Sequence, residues 1–397
     1  MVNPVLYADT RQVVSGREGM MLFYPTEADF DASGNDANAV PSLNMLCITT
    51  RLGLTINGPD VLGAKMKGYI EGDFTGSTDA TINTLRLRHS FINMAWEKST
   101  LLMGQYWYPM VIEEIMPQTQ PLNMGAPFHP YARYNQVRYV SHFNNWELLA
   151  AAAFQLDNKS QGYSDEGTIS NTQFVKQSCV PEFNVQFRYN GPKFFAGVAA
   201  NVLTMRPKSS DNQLYSSPTF SIFGKYKFSN WTLRTQTLLN NSLYEGCSLG
   251  GYIECLTALN ATTFATDYSY QQWTFNTIWT DFGRHTGKWR PGIFLGLAQN
   301  NNFGKAIYGF DPDNMRFFNN TYGRGINIEY LYRIQPRLGF AAGNGLRFDA
   351  EVEYTYAQYG KYAPIEQTTE FTNYGYIHDN NGGVANTRFI LSATYAF

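Results

Sequence analysis

The chain has 397 residues, of which 16% are charged and 16% aromatic, with 27 Tyr, 28 Phe and a formal net charge of −2. Charge is scarcer than the ~25% of ordinary soluble domains, and no basic tract is present, which excludes a nucleic-acid partner. No apolar run approaches the ~18 residues of a membrane-spanning helix, the best being LLAAAAFQL at 148–156, so a helical membrane protein is excluded too.

The start, MVNPVLYADTRQ, lacks the basic-then-apolar design of a secretory signal, so either the protein is not exported or the chain is a processed one. Residues 1–17 read as a short periplasmic segment outside the main fold, with one domain over 18–397. From residue 18 the pattern is period two. Alternating segments are expected at 18–25, 42–57, 65–75, 83–96, 99–108, 132–143, 146–156, 181–190, 193–204, 218–228, 231–240, 268–281, 289–300, 324–334, 346–358 and 386–397.

TLRLRHSFINMA at 84–95 sets the tone: a strand places Arg86, Arg88 and Ser90 on one face and Leu85, Leu87 and Phe91 on the other. Further along, Phe183, Val185, Phe187 and Tyr189 oppose Glu182, Asn184, Gln186 and Arg188. Phe220, Ile222 and Tyr226 oppose Ser221, Lys225 and Lys227, and Trp273, Phe275 and Trp279 oppose Gln272, Thr274 and Asn276. Phe348, Val352, Tyr354 and Tyr356 oppose Arg347, Asp349, Glu351 and Glu353. The connections alternate as well, short turns such as EKS, NN and NGPK with long loops rich in Asn, Gly, Asp and Pro.

Short turns at one end and long loops at the other predict an all-β fold, an antiparallel transmembrane barrel of sixteen strands with both termini on the short-turn side. A soluble propeller or pair of sandwiches would also alternate. It would dress its polar face with Lys and Glu, however, where this chain uses mostly Asn, Gln, Thr and Ser, and no blade-length repeat is present. In lipid, an arginine at the midplane costs ~2–4 kcal/mol, so a one-residue slip at 84–95 would be penalised twice.

The pieces RLG, GYIEGDF, LRLRH and LLMGQYW, in that order over 51–107, resemble the N-terminal half of a trimeric sixteen-stranded outer-membrane porin family that includes dicarboxylate-preferring (DcaP-like) and general porins. The remainder agrees in pattern and in its terminal Phe397, which is similar to the signal by which outer-membrane barrels are recognised for assembly. This chain carries its own loops and no long N-terminal coiled coil. The resemblance implies a homotrimer in the bacterial outer membrane, in contact with its lipid and, during biogenesis, with the barrel assembly machinery. It implies passive diffusion of small hydrophilic solutes, with no cofactor and no metal, and a loop at 109–131 folded into the pore. Gly68, Gly72 and Phe74 are candidate outward positions for packing between protomers.

Inward parity on the first six strands gives Arg51, Lys67, Glu71, Asp73, Arg86, Arg88 and Arg138 as pore-lining residues, and the inserted loop adds Glu113 and Glu114. Arginines on the wall facing carboxylates on the loop would make a transverse field across a constriction; the alternative is that these charges only neutralise one another in ion pairs. On the first reading, alanine at Arg86 and Arg88 leaves folding nearly intact and shifts selectivity towards cations. An enzyme is not expected: Ser141 and His142 are neighbours, and neighbours on a strand point to opposite faces. A scaffold or adhesin with a plugged barrel is the remaining class. Cys247 and Cys255 bracket GCSLGGYIEC and are expected to be bridged in an exposed loop, with two free thiols as the alternative. Asp311 and Asp313 read as a turn rather than a calcium loop.

Overall fold

The computed structural model describes the chain except residues 121–123, 157, 165–166, 211, 260–265, 303–305, 308–320 and 363–373; for 164, 255–259, 266–268, 306–307, 361–362 and 374–381 it describes the backbone alone. The main sheet runs through β1 Val5–Asp9, β2 Ser42–Leu46 continued by Arg51–Asn57, β3 Lys65–Asp73 and β4 Arg86–Ala95. It continues through β5 Ser99–Trp107, β6 Arg133–Phe143, β7 Trp146–Phe154, β8 Glu182–Asn190, β9 Phe194–Met205 and β10 Tyr215–Phe228. The remaining strands are β11 Trp231–Asn241, β12 Phe275–Arg284, β13 Trp289–Asn300, β14 Ile328–Gly343, β15 Leu346–Tyr362 and β16 Tyr374–Tyr395. All pairings between them are antiparallel, and β1 lies between β16 (Val5 opposite Ser392) and β2 (Val5 opposite Leu46), so the order returns to its start.

At this seam Arg388 donates from Nε and Nη2 to the two oxygens of Asp9 at 2.8 and 2.7 Å, and Asn386 donates to Asp9 at 2.6 Å. Residues 1–17 are therefore not a segment outside the barrel. Val5–Asp9 is a wall strand, and the expected first strand, 18–25, belongs to an inner hairpin of Val13–Gly16 and Met21–Pro25. The strand is only five residues long, and of its inward side chains Val5, Tyr7 and Asp9 only the last is charged, so no polar parity marks it.

The wall is inside out relative to a soluble protein. Leu85, Phe183, Ile222, Leu297, Phe348 and Leu391 are exposed on its outer face, whereas Arg88, Gln186, Gln236, Arg333, Glu353 and Arg388 are buried within. That is the burial order a hydrocarbon surround demands. At the short-turn end the outer face carries a belt of rings: Trp146 stacks on Phe187 with centroids 4.8 Å apart, Trp231 on Phe282 at 4.9 Å, and Trp289 meets Phe340 at 4.7 Å. Amphipathic and ring-bearing side chains collect where hydrocarbon meets water.

Two expected parities are overturned. Between Arg86 and His89 the pairing with β3 skips a residue, so that Glu71 lies opposite His89 and Gly72 opposite Leu87. This bulge leaves Arg86 and Arg88 inside but turns Phe91 inward onto Tyr106, with ring centroids 4.8 Å apart, and hands the outward place to Ile92. On β12, Phe275 and Trp279 face inward and Ile278 outward. The rings there are interior packing for an inserted loop, not a lipid face.

The long loops fold over the other end. Gly250–Leu259 pairs with Thr266–Trp273 and with Thr321–Arg324, and Gln161–Ser164 pairs with Gly167–Ser170. Tyr252 stacks between Tyr215 and Tyr322 at 4.7 Å on each side.

Candidate functional site

Two segments enter the barrel. The first is the connection from β5 to β6, residues 108–132, in which Tyr108, Met110, Val111, Ile112, Ile115, Ala126 and Phe128 are buried in the main interior cluster. Its apolar side chains account for its place, because a loop this greasy is stabilised by leaving water. Its backbone is held by the wall: Gln186 donates to the Pro109 carbonyl at 2.6 Å, and the Gln120 amide donates to Glu351 at 2.9 Å. The Gln118 amide donates to Asp281 at 3.3 Å, while His129 meets Gln236 at 2.8 Å and packs edge-on against Trp279, centroids 5.2 Å apart. The loop thus crosses from β8 to β15. The second segment is the inner hairpin, whose run Met20 to Tyr24 is buried throughout. Tyr359 donates to the Pro25 carbonyl at 2.7 Å, and Arg324 lies 4.1 Å above the Phe23 ring.

The expected pore residues separate into two groups. In the first, towards the long-loop end, Arg86 Nε donates to Asp73 at 2.8 Å, and Arg88 donates to Asp73 at 2.6 Å and to Glu71 at 2.5 Å. Arg51 sits beside them, half-buried, and Tyr69 donates to Glu71 at 2.9 Å. Arg86 and Arg88 therefore face carboxylates of the neighbouring strand β3, not those of the loop. The reason is register, which puts Asp73 opposite Arg86. Nearby, Arg133 stacks over Trp107 at 3.8 Å, and its guanidinium donates to the Tyr131 hydroxyl at 3.3 Å. Burial alone would raise the Tyr131 phenol, but Arg133, Arg88 and Arg86 outweigh it and bring it down to about 8.

The second group surrounds the loop carboxylates. Glu113 accepts from the Tyr106 hydroxyl at 2.7 Å and lies 3.9 Å from Arg138. Glu114 lies 3.3 Å from Arg188 on β8. Both carboxylates keep about a third of their side-chain surface exposed, 35% and 33%. Around them towards the short-turn end, Lys225, Arg234, Arg337 and Arg347 share the inward parity, with Asp281 bridging Arg234 at 3.1 Å and Arg337 at 2.7 Å. Lys67 is exposed on the same inward parity of β3. Acids share that half as well: Glu147 lies 4.0 Å from Arg188 and Asp349 lies 2.7 Å from Arg347. Arg188, Lys225, Arg234 and Arg337 are absent from the sequence-derived set because parity was read there only as far as β6; the same alternation on β8, β10, β11 and β14 carries the signal.

At the long-loop mouth a cavity of about 770 Å³ is lined by Arg86, Lys159, Gln161, Tyr244, Glu245 and Arg324. Glu245 is buried, and burial pushes its carboxyl up to about 8, with the neighbouring Glu182 adding to the shift. Cys247 is buried rather than in an exposed loop, accepting from Asn158 at 3.2 Å, and the side chain of Cys255 lies outside the described residues, as do Asp311 and Asp313. Ser141 and His142 lie on β6 with His142 3.4 Å from Glu147, so the adjacent pair does not form a nucleophile and its base.

No family model matches the chain, and no curated protein matches it. Solved structures do. The outer membrane channel DcaP of Acinetobacter baumannii superposes with a TM-score of 0.60 at 16% identity, covering 100% of this chain and 96% of that one. An anion-selective porin from Comamonas acidovorans gives 0.55 at 10% identity, covering 100% and 99%. The trimer form of OmpT, an outer membrane protein of Vibrio cholerae, gives 0.50 at 10% identity, covering 100% and 98%. With the inverted wall, the aromatic belt and the interior loop, these likenesses show that the chain has the barrel fold of porins.

Proposed function

We propose that the protein is a porin of the bacterial outer membrane, in contact with its lipid, through which small hydrophilic solutes and ions diffuse passively past a charged constriction made by residues 108–132. The observation that carries this reading is the placement of Glu113 and Glu114, partly exposed, against Arg138 and Arg188 inside the barrel. Fixed charges of both signs in a narrow low-dielectric passage orient water and polar solutes and disfavour apolar ones. The less buried bases of the short-turn half, Lys67 and Lys225, raise the local concentration of anions, so anions are the preferred current carriers. The likeness to a porin that is anion-selective agrees with that sign.

A homotrimer is part of the proposal, supported by the fold likeness to a barrel solved in a trimer form. The glycines of β3 carry less of that argument than expected. A Cβ at Gly72 would stand 3.0 Å from Leu85 Cδ1 and 3.1 Å from the Arg86 carbonyl, so this glycine serves the strand pair within the chain. Catalysis is not part of the reading, since the function follows from passage alone. A plugged scaffold or adhesin is favoured by one observation, the depth at which both interior segments are buried.

Planar-bilayer recording of detergent-purified protein decides between them. Stepwise conductance with an anion-leaning reversal potential under a salt gradient is the expected result. A folded barrel that inserts without steps would leave the scaffold, and a cation-leaning potential would refute the charge argument.

A further inference from the structure

Arg333 on β14 is fully buried, and its guanidinium joins three pieces of the chain. Nη1 donates to the Ala126 carbonyl of the inserted loop at 2.7 Å. Nη2 donates to the Leu22 and Phe23 carbonyls of the inner hairpin at 3.1 and 3.2 Å. Nε donates to Thr355 Oγ1 at 2.9 Å, and Nη2 lies 3.2 Å from Glu353, both on β15. The Phe128 ring packs 5.5 Å from the guanidinium carbon.

A planar fork with five N–H donors can serve a carboxylate, a hydroxyl and three carbonyls at once, which a lysine ammonium cannot do. Two of the three carbonyls belong to the hairpin strand Met21–Pro25 and one to the inserted loop, inside the barrel, where an unmet acceptor is costly and is relieved by admitting water. The loop and the hairpin have their other anchors on different parts of the wall, the loop at Gln186, Asp281 and Glu351 and the hairpin at Tyr359. Arg333 ties them to each other.

We propose that Arg333 sets the bore of the channel, acting as a positioning residue that clasps the inner hairpin to the inserted loop and holds both against β14 and β15. The inference rests on the porin reading for its consequence in current, but the clasp itself is a statement about the hairpin. Loss of the fork removes its hydrogen bonds to the Leu22 and Phe23 carbonyls, lets water between the two segments, and widens the passage.

The test uses the full chain folded in detergent and the pair of substitutions Arg333→Met and Glu353→Gln together, so that no buried carboxylate is stranded. Arg333→Lys, which keeps the charge and loses the fork, serves as the second variant and carries the test if the double variant loses its heat-modifiable gel shift. Single-channel conductance should rise about twofold or more in the double variant, with Lys intermediate, as expected for a widened constriction. Limited proteolysis followed by mass spectrometry should show the hairpin, residues 13–25, protected in the parent and cut in the variants. Folded variants with parental conductance and parental protection overturn the clasp and leave the porin reading standing. If parent and variants fold and none conducts, the porin reading falls, and cutting confined to the variants supports the clasp where unchanged protection overturns it.

Discussion

Two sets of inward arginines lie on the same barrel and do different things. Arg86 and Arg88 are buried against Asp73 and Glu71, each guanidinium answered by a carboxylate one strand away. Arg138 and Arg188 meet the partly exposed Glu113 and Glu114 of a loop that has crossed the lumen, and more bases stand around them. The first set is wall structure, with its charge spent inside a β3–β4 ladder. On the proposed function, the second keeps a residual field where solute can feel it. A charged side chain on the lumen face is therefore no guide to selectivity until its partner is known, because a buried ion pair is costly to break and nearly neutral from a distance.

The sharpest way to break this contrast is Asp73→Ala. Two buried guanidinia would lose their shared acceptor, and the barrel should lose about 3–5 kcal/mol, read as a lower urea midpoint in detergent. The same logic reverses the expectation that alanine at Arg86 and Arg88 leaves folding nearly intact. An Asp73→Ala barrel with the parental midpoint would mean that the pair is hydrated and that the two regions are alike. Next in size is the vestibule. Arg188→Ala combined with Lys225→Ala should lower the urea midpoint less than Asp73→Ala does, because the Glu114 left behind is a third exposed, and should lower the anion-to-cation permeability ratio about two- to threefold. The shift should be larger at 0.01 M salt, where screening acts over roughly 30 Å, than at 1 M, where it acts over roughly 3 Å. An unchanged reversal potential at low salt would move the constriction elsewhere.

Glu113→Gln with Glu114→Gln should move the ratio the other way by less than about twofold, since each carboxylate is already offset by an arginine. A shift of the same sign as in the base variants would show that the mutations change bore rather than field. The last effect is pH-dependent and concerns the long-loop mouth. Glu245 is a carboxylic acid whose folded pKa lies at about 8 through burial, above its unfolded value. The folded protein thus holds a proton that the unfolded chain has released, and stability falls as pH rises between roughly 4 and 8, by up to about 1 kcal/mol per unit. Amide exchange over 242–250 should accelerate across that window and become flat in Glu245→Gln. Pending that comparison, equal pH dependence in both chains would assign the effect to another group.

Much of the architecture is legible in period two. The inside and outside of β8, β10 and β15 read correctly from residues 182–190, 218–228 and 346–358, because lipid and lumen sort side chains as strictly as core and solvent do. The failures have local causes. β1 is too short to show a period, and the bulge at Arg88 reverses the parity of Phe91 without any mark in composition. Trp279 and Phe275 look like a lipid face until the inserted loop supplies them with His129 and Phe128 as neighbours. The charges were found, but their pairing depends on which residues the register sets side by side, and alternation carries no register between strands. The glycine in LLMGQYW is similar: at φ 130° Gly104 lets the Ser90 carbonyl come within 2.3 Å of where a Cβ would stand, a demand visible only once β4 is beside it.

The seam has a consequence for how the barrel is made. Its last ladder joins Asp9 to Arg388, so the five residues of β1 wait for the final strand to be synthesised before either has both neighbours. Until then every intermediate carries two unpaired strand edges, which are templates for pairing with other chains. A short stitch fastened on the wet side by one carboxylate and one guanidinium makes closure lean on few contacts: severing that pair with Asp9→Ala should be felt first as aggregation of newly made chains, before any mature barrel has the chance to leak.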